Sequence, residues 1–213
     1  ESLYSMEGDL SPLADFHALA EQTDAFLIVD EAHATGIWGQ YGRGLAAQWA
    51  GQERVVTLHT CGKALGASGA LVCAAPTLVE VLVNRARGFV YSTAPSPLMA
   101  ALVRGVLAHL AGDDSRRLAL QARVARAGAL SARHGLTYSG TQILPVLVGQ
   151  DHRTMALAAA LQAQGFDIRG IRAPTVPKGS ERLRLSLTLN PDDGQIDDMF
   201  AALAAALTKE HLP

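Results

Sequence analysis

The chain has three lysines in 213 residues, and one of them stands apart. Lys63 lies in Thr60-Cys61-Gly62-Lys63-Ala64-Leu65-Gly66-Ala67-Ser68-Gly69, directly after the apolar, β-branched run Val55-Val56-Thr57-Leu58. Lys178 sits between Pro177 and Gly179 in an evident loop, and Lys209 falls in the last turn of an expected terminal helix, where a cation suits the helix dipole. Only Lys63 has small, non-ionic neighbours at the end of an expected buried strand. An amine is costly there unless it is chemically engaged or its pKa is lowered, and Schiff-base formation is one use for it.

A second cluster, Asp30-Glu31-Ala32-His33, ends the apolar run Ala25-Phe26-Leu27-Ile28-Val29. The carboxyl ends of parallel strands are where α/β sheets hold ligands. Strand alternation sends Asp30 and Glu31 to opposite faces, which argues against a working carboxylate pair. His33, three positions past Asp30, can curl back to the same place. Taken singly, Asp30 is as consistent with a turn or cap, and His33 with a structural histidine. Taken with Lys63 and the Ser92-Thr93 pair after another expected strand, they fit one cofactor, pyridoxal phosphate. That cofactor needs a lysine for its aldehyde, a carboxylate for its ring nitrogen, and hydroxyl or N–H donors for its phosphate.

The elements that must position these residues alternate through the first half. A helix is expected over Leu10–Glu21 with Ser11 as N-cap and Pro12 at N1. Strands are expected over Ala25–Asp30, Val55–Thr60, Ala70–Ala74 and Phe89–Thr93, and a helix over Pro76–Asn84. Strands joined by helices or long crossovers imply a mostly parallel α/β sheet. Pro97–Ala111 is apolar nearly all round and is expected to be a buried helix. Arg116–Arg133 is a helix with Arg116, Arg123, Arg126 and Arg133 on one stripe, consistent with a solvated face.

Beyond His134-Gly135 the pattern changes. Ile143–Val148 is expected as a strand, with Pro145 favouring an edge. A helix comes next over Asp151–Gln164, then strands over Phe166–Ile171 and Arg182–Thr188, and a closing helix over Asp192–Lys209. The domain boundary is expected near residue 112.

A net charge of -2 supplies no basic field for nucleic acid or anionic lipid. No apolar run is long enough to span a membrane as a helix. Cys61 and Cys73 are too few for a disulfide framework, so reduced thiols and a cytoplasmic location are expected. Glu1-Ser2-Leu3-Tyr4-Ser5-Met6 opens inside an expected strand. On that basis the chain is expected to be part of a longer protein, and to bind cofactor weakly and turn over poorly by itself.

Five motifs fall in an order that resembles the α-oxoamine synthases. They are Ser5-Met6-Glu7-Gly8-Asp9, Val29-Asp30-Glu31-Ala32-His33-Ala34-Thr35-Gly36, Tyr41-Gly42-Arg43-Gly44, Gly62-Lys63-Ala64-Leu65-Gly66 and Tyr91-Ser92-Thr93. These are fold-type I pyridoxal phosphate transferases that join an amino acid to an acyl thioester with loss of carbon dioxide. The resemblance implies part of a large, mixed or mostly parallel sheet domain over 1–111 and a small C-terminal α+β domain over 112–213. Ser68-Gly69-Ala70 and Ile171-Arg172-Ala173-Pro174-Thr175-Val176-Pro177, followed by Arg182-Leu183-Arg184-Leu185-Ser186, are most similar to one member. That member condenses L-alanine with pimeloyl-CoA or pimeloyl-acyl-carrier protein in biotin synthesis. It usually has proline where this chain has Ala173.

The resemblance assigns roles. Lys63 holds the cofactor and moves the Cα proton, Asp30 pairs with the ring nitrogen, and His33 bonds the phenolic oxygen with Ser5 beside it. Thr60 contacts the phosphate, joined by Ser92 and Thr93 across a homodimer interface. Arg172 holds the substrate carboxylate and Thr175 lies near the acyl chain. No metal is implied. From the residues alone, Thr60 and Thr93 are equally consistent with ordinary strand positions, and Arg172 with a surface arginine.

Sister members that join glycine to acetyl-CoA or to succinyl-CoA remain open alternatives. A non-catalytic paralogue would usually lack the lysine, and Lys63 is present. Val29-Asp30-Glu31-Ala32-His33 also spells the acidic box of DEAH-type ATPases. However, no G-x-x-x-x-G-K-[ST] loop precedes it, and Gly62-Lys63 runs on into Ala64.

Overall fold

The structure is a computed structural model that describes residues 1–208. It divides into two compact units. The first comprises Glu1–Tyr4 and Leu10–Arg117; the second comprises Ser5–Asp9 and the chain from Leu118 onward.

In the first unit, α1 (Leu13–Thr23) leads into β1 (Leu27–Asp30), and a long connection reaches β2 (Val55–Thr60) and β3 (Ala70–Cys73). The sheet order is β1-β2-β3. β1 and β2 are parallel, with Leu27 opposite Val55 and Asp30 opposite Leu58, whereas β3 runs antiparallel to β2. The sheet is therefore mixed. Leu13, Val29 and Ala46 form one buried cluster, against which Leu27, Leu45 and Trp49 pack. Helices α2 (Pro76–Arg85), α3 (Arg87–Val90) and α4 (Pro97–Gly112) come next, and α5 (Ser115–His134) joins the second unit from Leu118.

Three expectations in this unit are corrected. Helix α1 starts at Leu13, with Pro12 as the cap residue and no side-chain cap. The Ser11 N–H instead donates to the Ser2 carbonyl at 3.0 Å, and Leu10 bridges Leu3. The segment Phe89–Thr93 is not a strand: α3 covers its start, and the N–H groups of Tyr91 and Ser92 bond locally to Arg87 and Phe89. Its aromatic and β-branched residues suit a strand, but a strand also needs a neighbour to pair with. Helix α4 buries Val103, which packs with Cys61 and Leu65, while Leu98 and Leu102 on its other faces are exposed.

In the second unit, α5 is succeeded by β4 (Ile143–Leu147), α6 (Asp151–Gln162), β5 (Arg169–Ile171), β6 (Arg182–Ser186) and α7 (Asp193–Thr208). The antiparallel sheet has the order β4-β6-β5, so β4 with Pro145 is an edge. Strand β5 is shorter than expected, because the Phe166 and Ile168 N–H groups are taken up in local turns. Leu183, Leu185 and Leu187 are buried, as the alternation along β6 requires. The other face of β6 fastens Ser5–Asp9: Arg182 pairs with Glu7 at 2.7 Å, and Arg184 Nε donates to the Ser5 carbonyl at 2.7 Å. Thr141 Oγ1 donates to the Gly8 carbonyl at 2.6 Å. The arginine stripe of α5 is partly engaged within this unit, with Arg126 on Asp197 and Arg123 on the Thr188 carbonyl. Lys209 lies outside the described residues. Among the described residues, no helix is long and apolar enough to cross a membrane.

Candidate active site

The amine of Lys63 is presented by a short turn whose flanks are buried. The Cys61 N–H donates to the Gly69 carbonyl at 2.9 Å, and the Cys61 carbonyl accepts from Ala67 at 2.8 Å. Cys61 and Leu65 anchor the turn in the cluster with Val103, and burial pushes the Cys61 thiol pKa up. Lys63, between these anchors, is exposed. The desolvation cost argued from the sequence therefore does not apply; Lys63 is singled out by its neighbour. Its Nζ lies 3.0 Å from His33 Nε2, and a proton can pass along that contact in either direction. Glu1 Oε1 stands 3.9 Å from the same imidazole nitrogen.

His33 and Asp30 come from the turn that ends β1. Asp30 Oδ1 accepts from the Ala32 N–H at 2.8 Å, so this carboxylate also holds the turn. As alternation required, Glu31 points away from Asp30 into the interior and is fully buried. Every polar group of Glu31 has a partner. Its N–H extends the parallel ladder to the Leu58 carbonyl at 2.8 Å, and its carbonyl accepts from the N–H groups of Ala34 and Thr35. Oε2 accepts from Ser2 Oγ and Oε1 from the Ala46 N–H, both at 2.5 Å. Gly44, with φ of +93°, passes so close that a Cβ there would sit 2.5 Å from the Glu31 carboxyl carbon.

Behind the same turn, Thr35 Oγ1 lies 2.8 Å from the Glu31 carbonyl and 2.8 Å from His59 Nδ1, and His59 Nε2 lies 2.9 Å from Thr57 Oγ1. A carbonyl only accepts, so the Thr35 hydroxyl proton goes to Glu31 and His59 Nδ1–H donates to Thr35. Burial lowers the His59 pKa; nearby Glu31 and Asp30 oppose that shift and Arg43 adds to it. The neutral ring then accepts from the Thr57 hydroxyl through Nε2. The His59 side of β2 borders a cavity of about 370 Å³ whose lining includes Arg43, Leu71 and Leu107.

The remaining expected site residues are more scattered. Thr60 is the last residue of β2, three positions before Lys63. Ser92 and Thr93 are exposed between α3 and α4, with Ser92 Oγ donating to the Gly88 carbonyl at 2.5 Å. Ser5, Arg172 and Thr175 belong to the second unit. Arg172 is exposed and pairs with Asp151 at 3.4 Å. The structure thus brings Lys63 against His33, beside Asp30. The network of Ser2, Glu31, Thr35 and His59 was missed by sequence reasoning, and the signal that pointed toward it was the inward direction of Glu31.

A family model described as aminotransferase class I and II matches residues 1–203. The chain is 45% identical over 210 residues to the 8-amino-7-oxononanoate synthase of Anaeromyxobacter dehalogenans, covering 97% of this chain and 53% of that protein. It is 41% identical over 214 residues to the 8-amino-7-oxononanoate synthase of Herminiimonas arsenicoxydans, covering 97% and 55%. A serine palmitoyltransferase structure from Sphingomonas wittichii matches with a TM-score of 0.87 at 25% identity, over 96% of this chain and 53% of that one. An 8-amino-7-oxononanoate synthase structure from Francisella tularensis matches with a TM-score of 0.82 at 25% identity, over 97% and 61%. The chain spans about half the length of the curated relatives it matches.

Proposed function

This chain belongs to the aminotransferase class I and II family, and we propose that it carries the lysine-bearing part of a pyridoxal phosphate acyltransferase. In this reading the enzyme condenses L-alanine with a pimeloyl thioester to give 8-amino-7-oxononanoate. The observation that carries the reading is the 3.0 Å approach of Lys63 Nζ to His33 Nε2, beside Asp30 at the end of a parallel strand. The names of the curated relatives supply the substrate class.

The residues fit the cofactor. Lys63 offers an exposed amine to an aldehyde, the Asp30 carboxylate suits a protonated ring nitrogen, and the His33 imidazole suits a phenolic oxygen. Thr60 would meet the phosphate, with Ser92 and Thr93 contributed by a second copy in a homodimer. Ser5 is the further cofactor contact that this reading assigns. When bound, the cofactor supplies an electron sink for the negative charge that develops at the alanine Cα.

The chain's own residues do the rest. The Lys63 amine removes the Cα proton and later returns one, and His33 Nε2 can hold that proton next to it. The Asp30 carboxylate would keep the ring nitrogen protonated by favouring its charged form. Arg172, exchanging its exposed partner Asp151, would receive a substrate carboxylate, and Thr175 would border the acyl chain. In the balanced reaction, a bond forms between the alanine Cα and the acyl carbonyl carbon. The thiol of coenzyme A or acyl-carrier protein leaves, and the alanine carboxylate departs as carbon dioxide.

The test is borohydride reduction with pyridoxal phosphate, followed by peptide mapping and by a product assay with alanine and pimeloyl-CoA. The protein is expressed as its gene encodes it. The label belongs on Lys63. A label on Lys178, or none, would overturn the assignment, and turnover of glycine with acetyl-CoA or succinyl-CoA in place of alanine would move it to a sister activity.

A further inference from the structure

We propose that Glu31 is a positioning residue for this site: its buried carboxylate, held by Ser2 and Ala46, fixes the turn that aims Asp30 and His33. The inference rests on the reading of Lys63, Asp30 and His33 given above.

Three facts carry it. First, a hydroxyl and a backbone N–H converge on a fully buried carboxylate at 2.5 Å, and an interior acid is kept only where such partners offset its desolvation. Second, the bonds tie together segments far apart in sequence. Ser2 lies 29 positions before Glu31 and Ala46 lies 15 positions after it. The Ser2 N–H also donates to the Asp30 carbonyl at 2.8 Å, so one residue holds both the Asp30 backbone and the Glu31 side chain. Third, the Glu31 carbonyl continues through Thr35 to His59 on β2, the strand that ends at Thr60 and leads to Lys63. The acid turn and the lysine turn are thereby held in register by hydrogen bonds that do not involve Asp30, His33 or Lys63 side chains. Gly44 has no side chain because this carboxylate occupies the space.

The partners also predict how substitutions behave. In Glu31→Gln the amide oxygen can accept from the Ala46 N–H, while its NH2 donates to Ser2 Oγ, which rotates to accept. In Glu31→Ala both donors are orphaned. The experiment titrates the protein with pyridoxal phosphate and tracks the visible band of the lysine-bound cofactor, well below each variant's unfolding midpoint. Glu31→Ala should weaken cofactor binding by about tenfold or more, the scale of one lost charged hydrogen bond, and Glu31→Gln should recover most of it. A purely structural role would lower the unfolding midpoint and leave the affinity of the folded protein unchanged. If Glu31→Ala does not fold, Ser2→Ala decides, with an expected loss of about tenfold, since it removes one hydrogen bond to the same charged carboxylate. Wild-type affinity in folded Glu31→Ala, or in Ser2→Ala, overturns the inference alone. Absence of a borohydride label on Lys63 in the unsubstituted protein overturns the reading beneath it as well.

Discussion

Replacing Gly44 by alanine tests the central packing claim, and its cost can be worked from the geometry. At Gly44 the backbone has φ of +93°, a conformation that costs an alanine about 1–2 kcal/mol. The new methyl would also stand 2.5 Å from the Glu31 carboxyl carbon and 2.7 and 2.8 Å from its oxygens. The carboxylate must retreat, and doing so stretches its bonds to Ser2 and Ala46. Losing one charged hydrogen bond adds about 1.5–3 kcal/mol, for a total of about 2.5–5 kcal/mol. Gly51 is the matched control, with φ of +87° and open space around its missing Cβ. Gly51→Ala should show the backbone cost only. Urea denaturation monitored by tryptophan fluorescence reads the right unit, because Trp38 and Trp49 both lie in it. In a Glu31→Ala background, Gly44→Ala should fall to the cost of the Gly51 control. If Gly44→Ala is no worse than Gly51→Ala in the native background, the account of the Glu31 pocket is wrong.

Packing and charge give two other expected outcomes. Burial depresses the His59 pKa, so its neutral form stabilises the fold above the ordinary histidine value of about 6.5, and that contribution disappears as pH falls through the depressed value. Urea midpoints measured from neutral to mildly acidic pH should therefore fall more steeply in the native protein than in His59→Gln; parallel profiles would contradict the network. Leu183, fully buried on the central strand β6, should cost about 2–5 kcal/mol as alanine, whereas exposed Leu118→Ala should shift urea stability by less than about 0.5 kcal/mol.

The residues that carry chemistry were legible because their signals are local. The β-branched run before Thr60 marks β2, and the Gly-rich stretch after it marks the turn that exposes Lys63. Period-two alternation separated Asp30 from Glu31 and placed Leu183 and Leu185 in the second core. The features that were not legible depend on distant partners. No local pattern ties Ser2 to Glu31, or Thr35 to His59 across 24 positions. Phe89–Tyr91 suits a strand by residue type, but strand identity is settled by pairing rather than by composition. Lys63 itself was misjudged in one respect: its place after an expected buried strand implied a costly setting, yet it is exposed between buried Cys61 and Leu65.

The fastening of Ser5–Asp9 by β6 also orders events in time. Arg184 reaches back 179 positions to the Ser5 carbonyl, and Arg182 reaches back 175 to Glu7. A ribosome makes the acceptor segment early and its clamp late, so the second unit cannot close until nearly all of this sequence has been synthesised. Contacts of such separation are slow to form, and Ser5–Asp9 must wait for them. The second unit is therefore not a contiguous module: excising the chain from Leu118 onward would leave Arg182, Arg184 and Thr141 without the backbone they hold.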